Sequence, residues 1–144
     1  MRRELYILTI EFSTTINAGA QGQAYAQVDT SGTFVAQSMA ATVFLPVAQT
    51  SVARTPACEQ PSPTIGSNTF MPLAGFRLQI ALAGVNWFSN PVNLATIGGR
   101  GGAPFYFQTQ PVLTPGAQLV ATLFNDVATF NVQAQIALIG FKQG

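Results

Sequence analysis

The sequence predicts an all-β protein, an antiparallel β-sandwich built as a jelly roll of about eight strands. Three observations lead to this fold class. Apolar and polar side chains alternate with a period of two over most of the chain. Turns rich in glycine and proline separate the alternating segments at spacings of roughly 8–12 residues. No amphipathic helix of about ten residues or more is found. The 144 residues favour one domain, residues 1–144.

The N-terminal part of the chain predicts four strands. Residues 5–12 alternate strictly, and one face carries Tyr6, Leu8, Ile10 and Phe12. Residues 23–39 indicate a β-hairpin, because two alternating segments flank the turn at residues 29–32. Gly32 is expected to adopt a positive φ in that turn. Residues 41–47 predict a further strand that stops near Pro46.

A long interruption of the strand pattern follows. Pro56, Pro61 and Pro63 stand among small polar residues, so residues 49–72 predict a long Pro-rich surface loop. Loops of this length are usually functional or mobile. Cys58 lies in the segment, but the chain has no histidine to activate a thiol, so a catalytic role is not expected.

The C-terminal half predicts five more strands, at residues 76–83, 92–97, 104–110, 118–124 and 130–142. Residues 84–90 form a turn region that contains Trp87 and Phe88. Residues 98–102 form a glycine-rich loop around Arg100, which lacks the Lys-Ser/Thr and the following helix of a phosphate-binding loop. Residues 114–117 fit a type II turn, with proline and glycine in its central positions.

Composition excludes most chemistry. Only 8% of the residues are charged, there is no histidine, and there is one cysteine. These counts remove His-based catalysis, cysteine zinc clusters and disulfides within the chain. We therefore expect no enzyme, with no catalytic, cofactor-binding or metal-binding residue. A net charge of +1 indicates neither a nucleic-acid partner nor a membrane partner.

The low charge also suggests an assembly component. Edge strands of free proteins are usually protected by charged side chains, above all lysine, and this chain has one lysine. A long polar–apolar strand such as residues 130–141 would be exposed to unwanted pairing in a free monomer. We therefore expect a surface that partner chains cover, and self-association into dimers or trimers.

The chain resembles a known family in a set of turn and strand signatures. They are residues 16–20 and Phe34, then 90–94, 97–99 and 103–107, and finally Pro111, 114–117, Leu119, Asn125, 132–133 and 139–142. In these signatures it is similar to small jelly-roll cement or decoration proteins, the auxiliary capsid proteins of tailed bacteriophages. The resemblance spans roughly residues 5–142 and leaves 48–72 unmatched. It implies structural work on a capsid and carries over no catalytic residue.

The resemblance implies a virion structural protein. It would be made in the host cytoplasm, bind the outer surface of the head and stabilise contacts between major capsid proteins. Two alternatives stay open: a receptor- or glycan-binding module of a vertex or fibre, and a structural protein of the neck, collar or tail. An aromatic platform near Trp87 or Tyr106 would favour the glycan-binding alternative.

Six residues are candidates for an interface. Arg2 and Arg3 lie in a possible N-terminal arm, residues 1–4, that would extend over a neighbouring subunit. Arg100 lies in the glycine-rich loop, where small residues allow close approach. The aromatic candidates are Trp87, Phe88 and Tyr106, although aromatic side chains are as common in cores as in interfaces. Alternation predicts that Phe105 and Phe107 point one way and Tyr106 the other.

Overall fold

The strands form two antiparallel sheets that pack face to face around one core, in a computed structural model that describes residues 3–45, 64–65, 68–97 and 104–143. The predicted all-β antiparallel sandwich is confirmed. In chain order the strands are β1 (Arg3–Ile16), β2 (Gln21–Gln27), β3 (Thr33–Leu45), β4 (Thr64–Ile65), β5 (Asn68–Met71), β6 (Phe76–Leu82), β7 (Val85–Asn86), β8 (Val92–Asn93), β9 (Phe105–Tyr106), β10 (Val112–Leu113), β11 (Gln118–Asn125) and β12 (Val132–Gln143).

One sheet has seven strands. Its three long strands run in the order β1-β12-β3, and β3 pairs further with β5, β9 and β10, while β4 pairs with β5. The strand β12 therefore lies inside the sheet. The risk of unwanted pairing expected for residues 130–141 does not apply to it, because β1 and β3 occupy both of its edges.

The second sheet has five strands. Its order is β2-β11-β6-β7, and β8 pairs with β6. A short 3-10 helix, Leu73–Gly75, precedes β6, and a single helical turn, α1 (Leu94–Ile97), follows β8. The strand predicted at residues 92–97 is thus only two residues long, because the chain turns into α1 and buries Leu94 and Ile97 against the core.

The core lies between the inward faces of the two sheets. Ile10, Met39 and Ile136 of the seven-stranded sheet and Leu78 and Leu123 of the five-stranded sheet are completely buried. Their alternation with exposed or half-buried neighbours is the period-two pattern of the sequence. A continuous set of buried aliphatic and aromatic side chains provides most of the stabilisation of such a sandwich.

The predicted hairpin at residues 23–39 is wrong. The two strands flank a real turn, but β2 pairs with β11 in one sheet and β3 pairs with β12 in the other. The turn therefore carries the chain across the sandwich instead of closing a hairpin. Residues 33–45 also form one continuous strand, whereas the pattern predicts a break between two strands near residue 40.

Of the two predictions about turn glycines, one is confirmed and the other is wrong. In the turn at residues 114–117, Gly116 has a φ of 77° and the amide of Ala117 donates to the carbonyl of Thr114 at 3.1 Å, as a type II turn requires. Gly32 does not have a positive φ. A Cβ at Gly32 would lie 2.5 Å from the carbonyl oxygen of Gln143, so close approach to β12 explains this glycine.

The loop predicted at residues 49–72 and the arm predicted at residues 1–4 both contain residues that form strands. Residues 68–71 of the predicted loop 49–72 form β5, which pairs with the end of β3. Most of the remaining loop, with Cys58, lies outside the described residues. Arg3 and Glu4 of the predicted arm 1–4 are not free either, because β1 begins at Arg3 and pairs both residues with β12.

Asp29 connects the crossing turn to the end of β12. Its carboxylate accepts hydrogen bonds from Nζ of Lys142 at 2.9 Å and from the amide and hydroxyl of Ser31, both at 3.0 Å. The bond from Lys142 is the largest cause of a lowered pKa, and together these donors bring the pKa of Asp29 from 3.8 to about 2.

Asp29→Asn is expected to lower the melting temperature slightly at neutral pH, by an amount typical of exposed ion pairs. A lowered carboxyl pKa stabilises the folded state above the pKa of the unfolded chain, and this contribution is lost as pH falls through the folded value. The gap between wild type and variant should therefore close between pH 3.8 and about pH 2. Melting curves over that range test this, and a gap independent of pH would contradict it.

Candidate interaction surface

The solvent side of the seven-stranded sheet carries two neighbouring rows of mostly apolar side chains. Residues directly opposite each other in antiparallel strands point to the same side of a sheet. The first row crosses β1, β12, β3 and β10 at Leu5, Phe141, Val35 and Val112. The second row crosses β1, β12, β3 and β9 at Ile7, Ile139, Ser38 and Tyr106.

These rows concentrate the exposed apolar surface of the protein. Among the described residues, six large hydrophobic side chains are exposed, and four of them belong to the rows. They are Leu5 at 77%, Ile7 at 51%, Tyr106 at 68% and Val112 at 59% exposure. We call the set of Leu5, Ile7, Val35, Tyr106, Val112, Ile139 and Phe141 the apolar face. Contiguous exposed apolar patches on soluble proteins mark interaction sites.

A β-bulge in β3 sets the register that builds the apolar face. Ser38 lies opposite Ile139 and Ala36 lies opposite Gly140, so Gln37 is an extra residue in β3. The carbonyl of Gln37 accepts the amide of Phe107 at 2.9 Å, and the amide of Ala36 donates to Pro111 at 3.0 Å. These bonds hold β9 and β10 against β3 and bring Tyr106 and Val112 into line with the rows.

Charged groups lie at the two ends of this side of the sheet. At one end, the guanidinium of Arg3 lies 4.8 Å from the centre of the Phe141 ring, in a cation–π contact. At the other end, Glu11 accepts a hydrogen bond from Nε2 of Gln135 at 2.8 Å. Between them the outward side chains of β1 are uncharged. A face with so few charges has a low desolvation cost on binding.

The polar end of the same side contains an open cavity of about 590 Å³. Its lining includes Glu11, Thr42, Gln133 and Gln135. The amide of Gln133 donates to the carbonyl of Ser13 at 2.7 Å, and Gln135 is bonded to Glu11. Both glutamine side chains of the lining therefore bind β1, where they hold the strand against β12.

The structure brings two of the six candidate interface residues onto this side. Tyr106 is part of the apolar face, and Arg3 lies at its end on Phe141. They stand at opposite sides of the sheet, with β12 and β3 between the strands that carry them. Arg2 and Arg100 lie outside the described residues.

The other two candidates, Trp87 and Phe88, pack against the core and are half-buried. The ring of Trp87 meets that of Phe107 edge to face at a centroid distance of 6.0 Å. Phe107 in turn meets Phe105 at 5.7 Å, which confirms that these two phenylalanines lie on the side away from Tyr106. The rings of Trp87, Phe105 and Phe107 therefore form one cluster, Phe88 packs against the core, and the ring of Tyr106 is exposed.

Gln79 holds the segment of Trp87 and Phe88 in place. Its side-chain amide donates to the carbonyl of Phe88 at 2.9 Å, and its side-chain oxygen accepts the amide of Phe88 at 3.2 Å. The amide of Trp87 donates to the carbonyl of Ile80 at 2.8 Å. These bonds fix the backbone of the segment, from which both aromatic side chains pack against the core.

Sequence reasoning missed most of the apolar face. Leu5, Ile7, Val112, Ile139 and Phe141 were not candidates. A signal was present in β1, where residues 5–8 are apolar on both sides of the strand. The rest of the apolar face depends on the register between strands that are more than 20 residues apart in sequence. A periodic pattern does not specify this register.

No protein-family model, curated protein or solved structure matches the chain. Within residues 3–45, 64–65, 68–97 and 104–143, no group of three His, Cys, Asp or Glu side chains is placed to hold a metal ion. In the same part of the chain, no helix has the length and hydropathy needed to cross a membrane.

Proposed function

We propose that the protein is a structural component of a larger protein assembly and binds it through the apolar face. The single observation that carries this proposal is the pair of apolar rows across four strands on the solvent side of one sheet. In a protein that works alone, an exposed patch of this kind promotes aggregation. In a component of an assembly, the same patch provides the binding energy.

The specific assembly we propose is a bacteriophage capsid, in which this chain acts as a cement or decoration protein on the outside of the head. The resemblance of its turn and strand signatures to that family is the basis for this part. Its partner would be the major capsid protein. A largely uncharged β-sheet face suits such a role, because it gains apolar contact without burying ions.

The order of strand pairing supports a jelly-roll topology. The antiparallel pairs are nested in sequence, so that each pair lies between the two strands of the previous one. From the outermost to the innermost they are β1 with β12, β2 with β11, β3 with β10 and β6 with β8. The first three pairs lie alternately in the seven-stranded and the five-stranded sheet. A jelly roll folds one long nested hairpin of eight strands into two sheets in this way. We therefore propose it as the topology of this sandwich.

Two exposed tyrosines provide a matched test. Tyr106 lies on the apolar face and is 68% exposed, whereas Tyr25 lies on β2 of the other sheet and is 60% exposed. Tyr106→Ser is expected to weaken binding to phage heads stripped of this protein by about tenfold or more, since aromatic anchors dominate interface energies. Tyr25→Ser should bind like the wild type. Co-sedimentation with the stripped heads measures both.

Equal binding of the two variants would contradict docking through the apolar face. No binding of the wild-type chain to the heads would contradict the capsid role itself. The number of copies per particle separates a cement protein from a neck, collar or tail protein, which occurs in few copies. That alternative and the receptor- or glycan-binding alternative stay predictions.

A further inference from the structure

The strand β1 is an edge of the seven-stranded sheet. In the part of the chain that the structure describes, β1 pairs with β12 along one side and with no strand along the other. Its ladder with β12 is continuous from Arg3 to Phe12 and becomes irregular between Phe12 and Ile16. The strand β2 follows β1 after a short turn and lies close to it in the other sheet, but no described strand is hydrogen-bonded to this edge. The edge therefore has a regular stretch of about ten residues without a hydrogen-bonded partner strand.

This edge lacks the usual protection against pairing. Residues 5–10 read Leu-Tyr-Ile-Leu-Thr-Ile, with no charge, proline or glycine. Natural edge strands are protected by lysine, proline, bulges or short length, and uncharged segments of six or seven residues with high β propensity are the ones that pair. The side chains of Leu5 and Ile7 are also exposed. An edge of this composition favours pairing with a further strand.

The charges at the ends of the regular stretch indicate what that partner is. Arg3 and Glu11 are exposed, point to the same side of the sheet and are eight residues apart. In the structure they do not meet, since eight residues of strand span roughly 26 Å. In an antiparallel pair of two β1 strands centred on Ile7, however, Arg3 lies opposite Glu11 of the partner subunit, and the reverse pair forms by symmetry.

The same register matches the other outward residues. Leu5 lies opposite Thr9 of the partner subunit, and Ile7 lies opposite Ile7 of the partner subunit. Opposite charges and β-branched side chains are favourable cross-strand neighbours. A register shifted by one residue would place outward side chains opposite inward ones. A register shifted by two residues would remove both pairs of opposite charges between Arg3 and Glu11.

We propose that two copies of the chain pair antiparallel through β1, with the two-fold axis at Ile7. The two seven-stranded sheets then form one continuous sheet, and the two apolar faces lie side by side on the same surface. Such a two-fold interface uses one patch of each copy twice. The dimer does not depend on the capsid role, and dimerisation and head binding are measured separately.

Charge exchange tests the register. Arg3→Glu and Glu11→Arg are each expected to weaken dimerisation by about tenfold, because each places like charges opposite one another at two symmetric positions. The double variant, Arg3→Glu with Glu11→Arg, should restore the wild-type dissociation constant to within about threefold. Sedimentation-velocity ultracentrifugation of all four proteins gives these constants, with circular dichroism as the folding control.

Rescue by the double variant is specific to contacts between copies, because the two positions are too far apart to interact within one chain. Loss of the contact between Arg3 and Phe141 does not explain it, since Glu11→Arg leaves that contact intact. A wild-type chain that is monomeric over the whole concentration range would overturn the proposal. So would a double variant as weak as the single ones.

Cysteine cross-linking tests the two-fold centre independently, in a chain with Cys58→Ser. Ile7→Cys should form a disulfide-linked dimer on oxidation, since opposite residues bring their Cβ atoms to roughly 5 Å, close to disulfide range. Thr9→Cys should not link to itself, because its two copies are separated by four residues of strand. Equal mixtures of Leu5→Cys and Thr9→Cys chains should link to each other. Efficient self-linking of Thr9→Cys would overturn the register.

Discussion

Gly140→Ala is expected to destabilise the protein by about 3–5 kcal/mol, the range of the most damaging core substitutions. Gly140 lies in the central strand β12, opposite the bulge in β3. A Cβ at this position would overlap the carbonyl oxygen of Val35 and lie 3.0 Å from Cα of Ala36. These atoms are backbone, so relief requires the strands to separate where β12 and β3 are paired.

A second glycine provides the control for the Gly140 variant. Gly84 has a φ of 82°, and a Cβ there would have no heavy atom within 4 Å. Gly84→Ala should therefore cost only about 1 kcal/mol, from its left-handed backbone conformation. Urea unfolding of both variants measures the difference. Similar losses for the two would contradict the close approach of β3 to β12.

Gly140→Ala is also expected to weaken binding through the apolar face. The bulge that Gly140 accommodates also sets the positions at which β9 and β10 bond to β3. If the strands separate there, Tyr106 and Val112 lose their alignment with the rows. Binding to an assembly should then fall at temperatures where the variant is still folded. Gly84 lies beside β7 in the other sheet, so its variant should keep binding.

The sequence predicts the faces of the strands far better than their partners. Alternation alone separates the two faces of residues 5–12 and puts Tyr106 on the opposite side from Phe105 and Phe107, and both are confirmed. The prediction of a hairpin at residues 23–39 is wrong because turn residues are a local signal. They indicate that the chain reverses direction, but not whether the next strand joins the same sheet. That choice depends on β11 and β12, nearly 100 residues later.

The candidate surface was predictable only in part, for the same reason. Arg3 was identified from its place in a basic terminal segment, and Tyr106 from its residue type. The rows that join Tyr106 to Leu5 and Ile7 exist only once the register of four strands is known. Trp87 shows the opposite error, since a large aromatic side chain in a turn suggests a binding platform but here packs on Phe107. Residue type alone does not distinguish the two environments.

Asn125 shows what periodicity misses in the core. Asp126 follows β11 directly, and its carboxylate accepts a hydrogen bond from the guanidinium of Arg77, with Oδ2 at 2.6 Å from Nε. The neighbouring Asn125 makes the turn bonds and is only 1% exposed. Its side-chain oxygen accepts the amide of Val127 at 3.1 Å, and Nδ2 donates to the carbonyl of Phe130 at 2.8 Å.

The same Nδ2 also reaches the turn between β1 and β2. It lies 3.3 Å from the carbonyl oxygens of both Ile16 and Asn17. One buried amide thus ties the end of β11, the loop that leads to β12 and the β1–β2 turn together. A buried amide that satisfies several backbone groups is worth more than a single hydrogen bond, because its loss leaves each of those groups unpaired in the core.

Asn125→Ala is therefore expected to destabilise the protein by about 3 kcal/mol, the cost of leaving two or more backbone groups unsatisfied. Asn93→Ala is the control: Asn93 also donates to a carbonyl, that of Ala74 at 2.8 Å, but at an exposed site, so the loss should stay within about 1 kcal/mol.

Asn125→Asp keeps the shape but replaces the donor with an acceptor that faces the carbonyls, so at neutral pH it should be at least as damaging as Asn125→Ala. Protonation restores one donor, so the loss in Asn125→Asp should shrink as pH falls, while the loss in Asn125→Ala should change little. Urea unfolding of the three variants at neutral and acidic pH measures these losses. If Asn125→Asp were as stable as the wild type at neutral pH, Nδ2 would not be the group that holds the three segments together.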